Sequence, residues 1–127
     1  MNKKVLIVDD QAGIRMLLSE VLRSEGVEVV DVPNGEIAIQ VCPKLQPDLV
    51  LLDMKMPGMS GVDTLRYLRK ELDLDVPVIL MTAYSELEML EEAIRLGINR
   101  QIMKPFDVFS VSKEIVHEVC KTPSFCG

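Results

Sequence analysis

Unbroken apolar runs alternate with amphipathic stretches along almost the whole chain. Val5-Leu6-Ile7-Val8, Leu49-Val50-Leu51-Leu52 and Val78-Ile79-Leu80-Met81 carry no polar partner residues. Such runs suit strands covered on both faces, as in parallel sheets. The pattern predicts strands over 4–8, 28–32, 49–53, 78–82 and 100–103. Between them, apolar residues recur at helical spacing. Helices are predicted over 13–25, 36–45, 61–72, 86–96 and 108–120, with Gly26 and Gly97 as stops and Pro43 blunting the second. Strand and helix alternate five times, which implies a doubly wound (βα)5 α/β fold with helices on both faces.

Polar residues gather where the apolar runs end. Asp9 and Asp10 follow the first strand, Asp53 ends the third, Thr82 the fourth and Lys104 the fifth. These are carboxyl ends of parallel strands, the rim where open α/β sheets bind ligands. Taken singly, each has a plain reading: Asp9-Asp10 as helix caps, Thr82 bonded to its own backbone, Lys104 in a surface ion pair. Together they make one site. Three acids so close repel unless a cation joins them. Oxygen ligands without His or Cys favour Mg²⁺, with Mn²⁺ able to substitute. A lysine, a hydroxyl and a hard cation are what a phosphoryl group needs, and a carboxylate is able to accept it covalently. Asp53, central in the sheet, is the expected acceptor. Asp10 is the expected direct metal ligand, with Asp9 acting through water. Lys104-Pro105 is a candidate cis bond.

Composition narrows the class. The chain has 127 residues, enough for one core-bearing domain, and 48% of them are hydrophobic, which argues against disorder. A net charge of −6 argues against nucleic acid as direct ligand. Cys42 and Cys120 fall in helical patterns and read as small core residues; Cys126 lies in a polar tail. Three cysteines read as unpaired suit a reducing compartment. No run is long enough to span a membrane, and the start leaves no room for a signal peptide. The expectation is a cytoplasmic domain over 1–121, without nucleic-acid or membrane contact, followed by a frayed tail over 122–127.

The motifs Val-Asp-Asp at 8–10, Leu-Leu-Asp-Met-Lys-Met-Pro-Gly-Met-Ser-Gly at 51–61, Met-Thr-Ala-Tyr at 81–84 and Met-Lys-Pro-Phe at 103–106 occur in order at successive strand ends. In this the chain resembles the receiver domains of two-component response regulators, over nearly its full length. It is most similar to the single-domain regulators of sporulation phosphorelays. The resemblance implies a flavodoxin-like sheet of order 2-1-3-4-5. It implies phosphorylation on Asp53, metal ligation by Asp10, Asp53 and the Lys55 carbonyl, and roles for Thr82 and Lys104. Backbone N–H groups of Met54 and Ala83 would complete the phosphoryl cradle. It implies a sensor histidine kinase as donor and a histidine phosphotransferase or other protein downstream. The module would catalyse its own Mg²⁺-dependent phosphorylation and hydrolysis, without being an enzyme for an external substrate, as a monomer or weak dimer. Lys55 and Tyr84 flank the site where they would crowd an attacking water.

One position departs from the family pattern. Gln101 stands where an aromatic switch residue is usual, three before Lys104. This favours relay of phosphate over gating of a large attached domain. The partner surface is expected at the start of the first helix: Gln11, Gly13, Ile14 and Leu17 beside Pro105 and Phe106. Leu18, Val21 and Leu22 are expected against the sheet. Glu86, Glu88, Glu91 and Glu92 read as a solvated helix face. The alternative is a receiver cut from a larger DNA-binding regulator. A phosphatase working through an aspartyl phosphate would need an acid where Lys55 stands. A flavin carrier would need a hydroxyl-rich phosphate loop where Asp9-Asp10-Gln11 stands.

Overall fold

The computed structural model describes residues 3–120, the Tyr84 side chain excepted. The expected tail over 122–127 lies outside the described residues. The strands are β1 (Lys4–Val8), β2 (Glu28–Val32), β3 (Leu49–Asp53), β4 (Val78–Thr82) and β5 (Arg100–Met103). The helices are α1 (Ala12–Ser24), α2 (Gly35–Leu45), α3 (Gly61–Arg66), α4 (Leu87–Leu96) and α5 (Val108–Val119). All strand pairs are parallel and the sheet order is β2-β1-β3-β4-β5. The doubly wound fold and the flavodoxin-like order are therefore as expected.

Two apolar cores explain the unbroken runs. On one face Leu6, Val8, Val50, Leu52, Val78 and Leu80 pack with α2, α3 and α4. On the other, Val5, Ile7, Leu49, Leu51, Ile79 and Met81 pack with Leu18 and Leu22 of α1 and Val111 and Ile115 of α5. Each central strand alternates its side chains between two dry layers, so every position must be apolar. At roughly 1.5–3 kcal/mol for each large buried aliphatic side chain, this burial is the main favourable contribution to folding.

The helices differ from expectation at their ends. Asn34 caps α2 by accepting from the Ile37 N–H at 2.8 Å. Pro43 sits in the last turn, where it forgoes one i→i−4 hydrogen bond, and the helix ends at Leu45 as expected. Ser60 and Asp63 form a capping box at the start of α3. The expected single helix over 61–72 instead changes to a π-helical turn at Tyr67–Glu71, closed by the Leu72 N–H on the Tyr67 carbonyl. That wider turn keeps Leu68 fully buried while Arg69 reaches the end of α4. A 3-10 turn, Tyr84–Glu86, precedes α4. Cys42 is buried and free, as expected. Cys120 corrects the reading of all three cysteines as thiols, because it is disulfide-bonded.

Candidate functional site

The carboxyl ends of β1, β3, β4 and β5 bring Asp9, Asp53, Thr82 and Lys104 together. Parallel pairing in register carries each strand to the same rim, with Val8 beside Leu52 and Thr82 beside Met103. Asp53 is 1% exposed, and its Oδ1 accepts from Lys104 Nζ at 2.6 Å. Its Oδ2 is buried and has no hydrogen-bond partner. Burial pushes the Asp53 carboxyl up to about 6; the Lys104 hydrogen bond opposes this, and the charges of Asp9 and Asp10 add to it.

Asp9 divides its two oxygens. Oδ1 accepts the Gln11 N–H at 2.8 Å, which turns the chain into α1. Oδ2 is buried without a partner. The capping and ligand readings of Asp9 are thus compatible, one on each oxygen. Burial raises its pKa, with the Gln11 N–H opposing. Arg15 holds this turn from behind, donating to the Asp9 carbonyl at 2.8 Å and pairing with Asp31 at 2.9 Å. Asp10 is exposed. One oxygen from each of Asp9, Asp10 and Asp53 lies within 4.8 Å of the others. Two orphaned buried carboxylate oxygens beside a third acid are a donor set that suits a hard divalent cation. The residues present therefore fit Mg²⁺.

A cleft of about 440 Å³ opens here, lined by Asp10, Gln11, Asp53, Lys55, Met56, Pro57, Glu86 and Lys104. The Lys104–Pro105 bond is cis. Thr82 Oγ1 donates to the Met103 thioether at 3.1 Å, a weak acceptor that is cheap to exchange. Gly61 sits against the end of β3. A β-carbon there would run into the Asp53 carbonyl oxygen, and its N–H donates to the Met54 carbonyl at 2.7 Å. Only glycine allows this approach, so Gly61 helps hold the loop after Asp53.

The two expected backbone donors are otherwise engaged. The Met54 N–H donates to the Met81 carbonyl at 2.9 Å, extending the β3–β4 ladder. The Ala83 N–H donates to Glu86 Oε1 at 3.0 Å. Buried backbone donors must find acceptors, and neighbouring groups took both. The next amide after Met54, that of Lys55, has no acceptor among the described residues and belongs to a residue lining the cleft. Glu86 was the residue that sequence reasoning missed. It was grouped with Glu88, Glu91 and Glu92 as solvated, yet it is only 9% exposed and faces the cleft. Its acid at the third position of a turn, a capping-box placement, was the signal available.

The expected partner surface is partly assembled. Gln11, Gly13 and Pro105 are exposed, and Leu17 is 50% exposed. Ile14 and Phe106 are half-buried and pack on the core between the sheet and α5, so they rim the patch rather than form it. Met16, 61% exposed, is the apolar residue that joins it. Val21 is only half-buried and lines a groove toward Phe109 of α5 instead of facing the sheet. Gln101 is exposed on β5. No helix among the described residues is long and apolar enough to cross a membrane.

Fold, rim and acid cluster define a phosphoacceptor receiver, and comparison agrees. Residues 5–116 match the model of the response regulator receiver domain, and the chain belongs to that family. It is 50% identical over 108 residues to the sporulation initiation phosphotransferase F of Bacillus subtilis (strain 168), covering 85% of this chain and 86% of that one. It is 38% identical over 119 residues to the DNA-binding response regulator MtrA of Mycobacterium tuberculosis (strain ATCC 25618 / H37Rv), covering 94% of this chain but 50% of that protein. The chain thus spans about half the length of MtrA. Among solved structures, the chemotaxis response regulator CheY4 of Vibrio cholerae superposes with a TM-score of 0.83 at 27% identity, over 93% of this chain and 99% of that one. The chain is a phosphoacceptor response regulator domain of the two-component class.

Proposed function

We propose that Asp53 accepts a phosphoryl group from the phosphohistidine of a sensor kinase and passes it to a histidine phosphotransferase. The observation that carries this is the Asp53 carboxylate itself: one oxygen held by Lys104, the other buried and unpartnered beside two more acids. The held oxygen fixes the side chain, and the unpartnered one attacks phosphorus. A P–O bond forms as the P–N bond breaks, and the imidazole departs with the bonding pair. Lys104 Nζ then turns toward the phosphoryl oxygens. Thr82 Oγ1 exchanges the Met103 sulfur for the stronger acceptor. The Lys55 N–H is the backbone donor available on the loop. Asp10, Asp53 and the Lys55 carbonyl would hold Mg²⁺, with Asp9 behind them. When bound, the cation neutralises charge on the phosphoryl oxygens.

The chain is read as one receiver unit over 1–121, acting in the cytoplasm as a monomer or weak dimer. Gln11, Gly13, Met16, Leu17 and Pro105, rimmed by Ile14 and Phe106, form the surface on which a helical donor or acceptor docks. Half identity to a sporulation phosphotransferase over most of both chains favours relay. The match to half of MtrA favours a second reading, a receiver belonging to a larger DNA-binding protein. The length of the gene separates the two. The central claim is tested by mass spectrometry after incubation with Mg²⁺ and acetyl phosphate. Wild type should gain one phosphoryl group on Asp53 and Asp53→Asn none; label on any other residue overturns the assignment.

A further inference from the structure

We propose that Arg15 is a positioning residue for the metal site: it holds the peptide unit between Asp9 and Asp10, and so sets the aim of the Asp10 carboxylate. The proposal rests on the reading of Asp9, Asp10 and Asp53 as a Mg²⁺ site. Among the described residues, no hydrogen bond or ion pair fixes the Asp10 side chain. One of its oxygens nevertheless lies within 4.8 Å of oxygens of Asp9 and Asp53. What places it there is the backbone. The Asp9–Asp10 peptide is planar, so fixing its carbonyl fixes the direction in which the chain leaves for Asp10. Arg15 Nη1 donates to that carbonyl at 2.8 Å. On the other side, the Asp9 N–H donates to the Val32 carbonyl of β2 at 3.2 Å. Arg15 is itself held, because its Nε donates to Asp31 Oδ2 on β2 at 2.9 Å.

The plain reading is a clip between α1 and β2. Two observations go beyond it. Arg15 lies at the amino-terminal end of α1, where the helix dipole disfavours a cation and no acid in the first turn offsets it. The helix gains little from a positive charge there. Further, the guanidinium is forked between two acceptors, and one of them is the carbonyl that joins two of the three clustered acids. A planar fork can fix both at once, which the point charge of a lysine cannot. Groups that orient a metal's ligands in this way change metal affinity by about 10–100-fold when removed. Charge alone predicts the opposite sign: a guanidinium near the acids repels an arriving cation, so its loss would tighten binding.

The test titrates the full, metal-free chain with MgCl₂ in a calorimeter and records Tm without metal alongside. Arg15→Lys keeps the charge and loses the fork; it should bind Mg²⁺ about tenfold more weakly than wild type. Arg15→Ala should also bind more weakly, although a positive charge has gone. In an Asp10→Asn background, Arg15→Lys should weaken binding far less than it does alone, because both changes act on the same ligand. Arg15→Lys decides the matter if Arg15→Ala does not fold. Should Arg15→Lys bind Mg²⁺ as tightly as wild type and only melt lower, Arg15 is a clip and the proposal is overturned. Tighter binding by Arg15→Ala would overturn it as well, since charge would then outweigh aim. Should wild type itself bind no Mg²⁺, the metal reading fails and the proposal falls with it.

Discussion

The two rims of the sheet are built on opposite terms. At the amino ends of the strands the polar groups are matched. The Lys4 N–H donates to Asp48 at 2.8 Å and the Val78 N–H to Asn99 at 3.2 Å. Arg69 donates to the carbonyls of Leu96, Leu74 and Gly97 at 3.0, 2.9 and 2.7 Å, tying the π-helical turn after α3, the approach to β4 and the end of α4 together. At the carboxyl ends, Asp9 and Asp53 each leave an oxygen buried and unmatched. Buried polar atoms without partners cost about 1–3 kcal/mol each. One rim contributes stability, and the other spends it on a site that binds charge.

The sharpest test of that contrast is Asp53→Asn, which should abolish phosphorylation and yet raise the stability of the metal-free protein at neutral pH. Urea unfolding without Mg²⁺ checks the second half; a loss of stability would show that Asp53 is part of the structural frame. Next in size is Asp10→Asn. Removing a charged oxygen ligand should weaken Mg²⁺ binding by about tenfold or more, read from the Mg²⁺ concentration needed to raise Tm. On the matched rim, Arg69→Ala should cost about 2–4 kcal/mol by losing charge-assisted bonds to three carbonyls, while labelling of Asp53 stays at the wild-type rate.

A pH dependence completes the set. Asp53 is raised from 3.8 to about 6, so its folded form holds a proton that the unfolded chain has already released. The folded state is thus favoured at low pH and loses stability as pH rises from about 4 through about 6, with a plateau above. A shift of that size corresponds to at most about 3 kcal/mol. Asp9, also raised by burial, acts in the same direction. Asp63 and Asp107 are lowered by hydrogen bonds from Arg66 and Ser110 and act oppositely, losing stability in acid. The difference between wild type and Asp53→Asn isolates the first effect. It should grow across that window without Mg²⁺ and shrink when Mg²⁺ is added; a flat difference would overturn it.

All five strands were legible at their observed bounds, because a strand buried on both faces writes an uninterrupted apolar run. Asp9, Asp10, Asp53, Thr82 and Lys104 were legible because polar residues at the ends of such runs have nowhere to lie but the rim. The π-helical turn after α3 was not legible, since it coincides with Arg69 bonding to carbonyls 27 and 28 residues away, which spacing along the chain does not reveal. The split between Ile14 and Leu17 was not legible either. Both belong to one helical stripe, and only the position of α5 decides which of them is covered.

Local pattern and residue chemistry alone determined the layered α/β architecture and the set of groups converging on the rim. These depend on period, on side-chain type and on where each run stops. Tertiary structure decided which oxygen of each acid is committed and which is not, and that Met54 and Ala83 spend their N–H groups on Met81 and Glu86. It also turned Glu86 from the solvated face into the cleft. Hydrogen-bond partners are chosen by distance in space, and spacing along the chain does not encode that distance across a sheet.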